Sequence, residues 1–215
     1  MKEILDFFET LYTPLVSDTM DKLGIHGQVV DHAVQSMLFD PQLKVAGIAY
    51  PCRVVPTREY VEIGTLLEMV DSIPADSMVL VAADSDIDAA LWGGMMSSRS
   101  KARGARGAAV NGGVRDVEQI ADLNFPVFGT YRCVKDIRTR GYMAEYNCAV
   151  NFGGVEVRPG DIAFADANGI VIIPSQHLHS ILAVLTEAKL NEDRTISGLS
   201  EGKSAQSLYS EYKAF

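Results

Sequence analysis

Cysteine is scarce in this sequence. The three cysteines, Cys52, Cys133 and Cys148, are odd in number and form no C-x-x-C pair. We therefore expect neither a disulfide framework nor a four-thiolate zinc site, because both need paired or clustered thiols. The same scarcity favours the cytoplasm as the compartment.

Long hydrophobic runs are also missing. No apolar run approaches the roughly 18 residues that a membrane-spanning helix needs. The first residues, MKEILDFFETLYTPLVSD, lack the basic start, long apolar stretch and small-residue cleavage site of a secretory signal. We therefore expect no membrane partner.

Basic side chains are outnumbered by acidic ones. The chain has 19 Lys and Arg against 28 Asp and Glu, a net charge of −9. Because phosphate binding needs a clustered positive surface, we expect no nucleic-acid partner. With 215 residues, 47% hydrophobic and 22% charged, the chain has the composition of one ordinary globular domain, and no linker or repeat interrupts it.

The amino-terminal half predicts a mixture of helices and strands. The helices are expected over 4–12, ending at Pro14, then over a short segment capped by Ser17 or Asp18 and stopped by Gly24, and over 60–70 and 89–103. The strands are expected over 45–55, interrupted near Pro51, over the apolar run 78–84, and over 108–111.

The carboxy-terminal half changes to a period of two. After a helix over 117–123, short strands are expected at 126–129, 149–152, 155–157, 162–165 and 170–173, separated by glycine-containing turns. A last helix is expected over about 175–192. The order predicts an α/β fold of the α+β type with a β-meander finish. We expect one catalytic-type domain over 1–190 and a helical arm over 191–215 at a subunit interface.

The chemistry is concentrated between residues 92 and 116. A strand leads through an acidic loop to Gly93 and Gly94, which open a helix. Bare backbone N–H groups at such a start bind anions, although paired glycines also serve close packing. The strand over 108–111 then delivers Arg115 and Asp116 to the same sheet edge. Arg115 can grip a carboxylate in bidentate fashion, and Asp116 can hold a hard cation or simply cap the next helix.

These motifs together resemble one known family. They are W-G-G-x-M (92–96), K-A-R-G-x-x-G (101–107), N-G-x-V-R-D (111–116), P-V-F (126–128), N-F-G-G-V-x-V-x-P-G-D (151–161) and A-D-x-x-G-I-V-x-I-P (165–174). The pattern resembles the 4-hydroxy-4-methyl-2-oxoglutarate aldolases, a class II pyruvate aldolase group that also contains the regulators of RNase E activity. The resemblance covers most of the chain.

The resemblance implies a fold, a site and a reaction. The fold is a layered αββα sandwich similar to the swivelling phosphohistidine domain. Asp116 anchors Mg²⁺ or Mn²⁺, Arg115 binds a small keto acid and stabilises its enolate oxygen, and the backbone of Gly93, Gly94, Met95 and Met96 holds the substrate carboxylate. The reaction is a retro-aldol cleavage that releases pyruvate, with decarboxylation of oxaloacetate as related chemistry. The assembly is a homotrimer or homohexamer.

One position departs from the aldolase pattern. Gly94 stands where the aldolases carry an acidic residue that helps to deprotonate the substrate hydroxyl. Asp84, Asp86 or Asp88 could replace it from the upstream loop, although such loop carboxylates are commonly solvated. Glu192 resembles an acid that family members contribute across a subunit boundary. Two alternatives to an aldolase follow: a non-catalytic regulatory protein, and a lyase acting on a different keto acid.

Overall fold

The structure, a computed structural model, describes residues 1–38, 40–84 and 87–214. Within these ranges the strands are, in chain order, β1 (Gln35–Ser36), β2 (Val45–Pro56), β3 (Ser77–Ala83), β4 (Ala90–Trp92), β5 (Gly107–Val110), β6 (Gly113–Val114), β7 (Val127–Gly129), β8 (Tyr131–Arg132), β9 (Gly141–Tyr146), β10 (Val150–Phe152), β11 (Val155–Val157), β12 (Ile162–Asp166) and β13 (Gly169–Ile173). The α-helices are α1 (Lys2–Phe8), α2 (Thr13–Lys22), α3 (Gly64–Ser72), α4 (Gly94–Ala102), α5 (Val117–Asp122), α6 (Leu178–Ser200) and α7 (Ala205–Tyr212).

Eight strands form one mixed sheet at the centre of the fold. Their spatial order is β1-β7-β5-β3-β2-β12-β13, and β9 pairs with β2. The neighbours among β2, β3, β5 and β7 run parallel, whereas β1, β9, β12 and β13 join antiparallel. The predicted mixed α/β fold class is confirmed.

The apolar run that predicted β3 explains its central place. Side chains alternate along the strand, so Val79 and Val81 pack beneath α3 and α5 on one face. Leu80 and Ala82 pack on the other face against the hairpin of β10 and β11. A strand buried on both faces reads as a continuous apolar run, as this one does.

A third part of the core fixes the terminal helices to the sheet. Phe8 of α1 is fully buried, and its ring centroid lies 6.0 Å from that of Phe164 in β12. The buried carboxylate of Asp166 accepts hydrogen bonds from the amide and hydroxyl of Thr13, at 2.8 and 2.7 Å. These contacts hold the start of α2 against the end of β12.

Several predicted boundaries are wrong. Pro14 does not end the first helix: α1 ends at Phe8, and Pro14 lies in the first turn of α2, where proline is tolerated because its missing N–H has no helical partner there. Ser17 and Asp18 lie inside α2 and do not cap it. Gly24, with φ of +72°, follows the end of α2 as predicted.

Some strands lie where the sequence predicted a helix or no element, and β4 and β9 are the longest of them. Residues 90–92 form β4, although a helix was predicted from 89 onward. β9 lies in a segment for which no element was predicted, and it pairs antiparallel with β2. The interruption expected near Pro51 is wrong, because β2 runs unbroken through Pro51; the register shift in the β9 pairing lies between Arg53 and Val54.

The carboxy-terminal helices are longer than the sequence indicated. α6 runs without a break past residue 191 to Ser200. α7 follows, and the Ser204 hydroxyl accepts a hydrogen bond from the Ser207 amide at 3.1 Å as its cap. Among the residues described, no helix is long and apolar enough to cross a membrane.

Candidate active site

A small parallel sheet, separate from the central one, brings the predicted site residues together. It has the strand order β4-β6-β8. The Arg115 amide continues the ladder by donating to the Trp92 carbonyl at 3.0 Å. Gly113 permits the close packing of β6, because a Cβ there would lie 2.6 Å from the Ala89 carbonyl oxygen. The residues that follow β4 and β6 therefore meet at one edge.

The glycine turn after β4 is held by a buried tryptophan. Trp92 is 1% exposed, and its indole N–H donates to the Ser97 hydroxyl at 2.8 Å. That hydroxyl donates in turn to the Gly93 carbonyl at 3.1 Å. α4 begins at Gly94, so the N–H groups of Met95 and Met96 lie in its first turn without partners inside the helix.

Asp116 faces the start of α4. Its Oδ2 accepts a hydrogen bond from the Gly94 amide at 3.1 Å and lies 3.6 Å from Arg115 Nε. Although Asp116 precedes α5, its side chain makes no capping bond to that helix. Its backbone is left-handed, with φ of +58°, a conformation that costs free energy in a residue other than glycine and is commonly found at functional sites.

A second aspartate fixes the other side of Arg115. Asp136 Oδ2 lies 3.4 Å from Arg115 Nη1. Arg138 binds the same carboxylate with Nε at 2.9 Å and Nη2 at 3.2 Å. These hydrogen bonds, with the added charge of Arg115, lower the pKa of Asp136 to about 2. Arg115 is thus held between the carboxylates of Asp116 and Asp136.

Asp136 and Arg138 were missed by the sequence reasoning. They lie in the segment 131–140, which showed no clear periodicity and carries none of the recognised motifs. The only sequence signal is the charged pattern D-x-R at 136–138, which is common in loops and carries little weight alone.

These side chains surround one cavity of about 470 Å³. Its lining combines a charged end with an extensive apolar wall, and consists of Ile63, Leu66, Leu67, Val70, Asp71, Ala90, Leu91, Trp92, Gly93, Met95, Met96, Arg99, Arg115, Asp116, Asp136, Ile137 and Arg138. Of the predicted site residues, Gly93, Met95, Met96, Arg115 and Asp116 lie in this lining.

Gly94 contributes its amide to the site but has little room for a side chain. A Cβ at Gly94 would lie 2.3 Å from Gln119 Oε1, 3.1 Å from Gln119 Cβ and 3.2 Å from Asp116 Cβ. The Gln119 side chain therefore occupies the space that an acidic residue at position 94 would need.

The carboxylates considered as substitutes for that acid lie elsewhere in the chain. Asp84 is 3.6 Å from Arg53 Nη1, and Asp88 forms an ion pair with Lys135. Neither lines the cavity. Asp86 lies outside the described residues.

Glu192 lies on α6, in a groove shared with α2 and α7. Its Oε2 is buried without a hydrogen-bond partner in the described part of the chain. Burial, with a smaller contribution from the Asp193 charge, raises the pKa of Glu192. In a single chain it is not part of the cavity lining.

The donor set at Asp116 suits a hydrated magnesium ion better than a preformed metal cage. Among residues 1–38, 40–84 and 87–214, no three His, Cys, Asp or Glu side chains cluster as metal ligands. Asp116 is about one-third exposed, and within the same ranges its Oδ1 makes no hydrogen bond. Mg²⁺ commonly binds through one or two carboxylates while keeping several waters, so Asp116 fits such an ion.

The fold and cavity define a mixed α/β protein with an arginine–aspartate pair at the start of a helix. The family model RraA-like, described as Aldolase/RraA, matches residues 13–172. The chain therefore belongs to the RraA-like family, which confirms the resemblance drawn from its motifs.

The chain is also similar to individual proteins, and the solved structure among them shares its fold. Protein DlpA of Legionella pneumophila is 29% identical over 200 residues, which cover 92% of this chain and 32% of DlpA, so the chain spans about a third of that relative's length. A Halalkalibacterium halodurans protein named "Putative 4-hydroxy-4-methyl-2-oxoglutarate aldolase" is 24% identical, over 95% of this chain and 92% of the relative. The chain also matches the crystal structure of Streptomyces coelicolor RraAS2, which is titled an unusual member of the RNase ES inhibitor RraA protein family. The TM-score is 0.80 at 21% identity, and the match covers 90% of this chain and 95% of that one.

Proposed function

We propose that the protein is a divalent-metal-dependent carbon–carbon lyase that releases pyruvate from a 4-hydroxy-2-oxo acid. One observation carries the proposal: Arg115 and Asp116 converge on the first turn of α4 within a single cavity. Arginine, helix-start amides and a carboxylate able to hold Mg²⁺ or Mn²⁺ are the groups that an anionic keto acid requires. Decarboxylation of oxaloacetate, which passes through the same enolate, is a second activity that we propose for this site.

The chain's own groups have separate tasks in this reaction. The N–H groups of Met95 and Met96 bind the substrate carboxylate. Arg115 donates to the oxygen on C2, where negative charge develops as the C3–C4 bond breaks. A divalent ion held by Asp116 would supply Lewis-acid stabilisation of that same charge. Asp136 keeps the guanidinium of Arg115 oriented.

The electron and proton balance needs no oxidant. The C4 hydroxyl loses its proton and becomes a carbonyl, the C3–C4 pair moves to C3, and C3 then takes up a proton to give pyruvate. A base must accept the hydroxyl proton. Asp136 is a poor base, since its pKa is about 2. Asp71, which also lines the cavity, is a poor candidate too, because its Oδ1 is paired with Arg99 Nε at 2.6 Å.

We therefore propose that the auxiliary acid comes from outside the single-chain cavity. We favour Glu192 over Asp84, because Asp84 is paired with Arg53 whereas burial raises the pKa of Glu192 and with it the proton affinity that a base needs. This role requires a second copy, so it is consistent with a homotrimer or homohexamer whose arm over 191–215 lies at the subunit interface. We also propose that the protein is cytoplasmic.

A regulatory protein without catalysis is the second candidate. It is favoured by Gln119, which fills the space beside Gly94 where an aldolase would place its acid. Retention of Asp116 favours the lyase. If Asp116→Ala leaves both metal affinity and cellular activity unchanged, the regulatory function is the better explanation.

The proposed function is tested by measuring pyruvate release from a panel of 4-hydroxy-2-oxo acids and oxaloacetate, with Mg²⁺ or Mn²⁺ and after chelation. We expect release that depends on the ion, and Asp116→Asn should weaken metal binding by at least about 10-fold, because even outer-shell partners of a metal contribute that much. Asp122→Asn on the exposed side of α5 is the matched control. Absence of pyruvate with every acid and both ions would contradict the proposal.

The close packing of Gly93 against the site gives a further prediction. A Cβ on Gly93 would lie 2.8 Å from Asp116 Oδ2 and 3.1 Å from Arg115 Cγ, while its φ of −162° suits any residue. Gly93→Ala should therefore displace both side chains and lower kcat/KM by about 100-fold with little change in Tm. Gly64→Ala, where no atom lies within 4 Å of the added carbon, is the control. Equal values of kcat/KM for Gly93→Ala and Gly64→Ala would show that the close packing of Gly93 does not contribute to catalysis.

A further inference from the structure

One wall of the cavity is apolar to an extent that pyruvate chemistry does not explain. Ile63, Leu66, Leu67 and Val70 follow the i, i+3, i+4, i+7 spacing of one helical face along α3 and its preceding residue. Leu67 is 50% exposed, and Met95 across the cavity is 76% exposed. Apolar side chains in this arrangement form a surface that an apolar ligand would cover.

Each arginine that lines the cavity is already paired with a carboxylate of the chain, which disfavours a second carboxylate on the substrate. Arg138 is bound to Asp136 through two nitrogens. Arg99 is bound to Asp71 with an Nε–Oδ1 distance of 2.6 Å. Arg115 is itself paired with Asp116 and Asp136, and the proposed function assigns its remaining donors, with the α4 amides, to the pyruvyl carboxylate and its neighbouring oxygen.

The size of the cavity agrees with a larger substrate. A volume of about 470 Å³ lies in the range of pockets that enclose whole small-molecule ligands. A pyruvyl unit at the charged end leaves the space along α3 open to the part of the substrate beyond C4.

We propose that the substrate is a monocarboxylic 4-hydroxy-2-oxo acid whose C4 carries an apolar chain or ring, bound along the wall formed by Leu66, Leu67 and Val70. This inference rests on the proposed function. The products are pyruvate and an apolar aldehyde: the C3–C4 bond breaks, the C4 hydroxyl becomes the aldehyde carbonyl, and C3 gains a proton.

The test is a substrate series assayed with the purified protein and Mg²⁺. Straight-chain acids with one to four carbons on C4 are compared with 4-hydroxy-2-oxoglutarate, which has a carboxylate there. We expect kcat/KM to rise by about fourfold for each buried methylene. The dicarboxylate should be the poorer substrate, because its second charge loses water without gaining a partner.

Three leucine variants test whether the wall causes this gradient. Leu67→Ala should flatten it, whereas Leu190→Ala should not, because Leu190 has nearly the same exposure, 48%, but lies on α6 outside the cavity. Leu67→Lys should shift the preference towards the dicarboxylate.

The outcomes separate this inference from the proposed function. Pyruvate release without a chain-length gradient, or with the dicarboxylate preferred, overturns the apolar substrate class alone. If the gradient is unchanged in Leu67→Ala and light scattering shows that the mass of the assembly has changed, the wall contacts a second copy of the chain. That result would also overturn the apolar substrate class. Absence of pyruvate from every acid overturns the proposed lyase itself.

Discussion

Arg115→Met is expected to lower kcat/KM for pyruvate release by roughly 100–1,000-fold, since removal of one donor to a developing oxyanion has an effect of that size. The loss should appear mainly in kcat, because the negative charge on the C2 oxygen develops as the bond breaks. Methionine retains much of the length of the side chain, so the cavity should keep its shape. Steady-state kinetics over the preferred substrate, with Tm measured in parallel, checks this expectation.

The matched control is Arg53→Met. Arg53 also bridges two carboxylates, with Asp84 at 3.6 Å and Glu145 at 3.5 Å, but it lies outside the cavity. Its loss should leave kcat/KM within about twofold, because exposed ion pairs contribute little. If Arg115→Met behaved in the same way, Arg115 would not be the oxyanion donor and the proposed mechanism would fail.

Phe164→Ala is expected to lower the free energy of unfolding by about 3–5 kcal/mol. Phe164 is fully buried in β12, and its ring packs on Phe8, so the truncation leaves a cavity between the sheet and α1. Urea unfolding followed by circular dichroism measures the loss.

Phe7→Ala serves as its control. Phe7 contacts the same Phe8 ring at a centroid distance of 6.3 Å, but it is only partly buried and projects from the core. We expect Phe7→Ala to lower the free energy of unfolding by less than half as much as Phe164→Ala does. Equal losses for the two variants would contradict the view that β12 anchors the terminal helices through this one ring.

The central strands could be predicted from the sequence, because a strand that is buried on both faces is a continuous run of apolar residues. The continuous apolar run in β3 is one example. The same reasoning failed at β4, because the short apolar run Ala89–Trp92 joins directly onto a true helix and periodicity alone does not divide it. The sequence also failed to predict the start of α2, because proline is typical both of the residues after a helix and of the first helical turn, where Pro14 lies.

In the candidate site, too, residues that are neighbours in the sequence could be predicted, whereas residues brought together only by the fold could not. Arg115 and Asp116 are neighbours within a recognisable motif, so they could be proposed from the sequence. Asp136 reaches Arg115 only because the small sheet places β8 beside β6. Nothing local in the sequence indicates a contact formed by three short strands.

The space shared by Gly94 and Gln119 has an evolutionary consequence. Because a side chain at position 94 would overlap Gln119 Oε1, the two positions should not vary independently. We expect relatives with an acid at the position of Gly94 to carry a smaller residue, such as alanine, at that of Gln119. Restoring an acid at position 94 therefore requires the Gln119 side chain to turn aside or to be replaced by a smaller one.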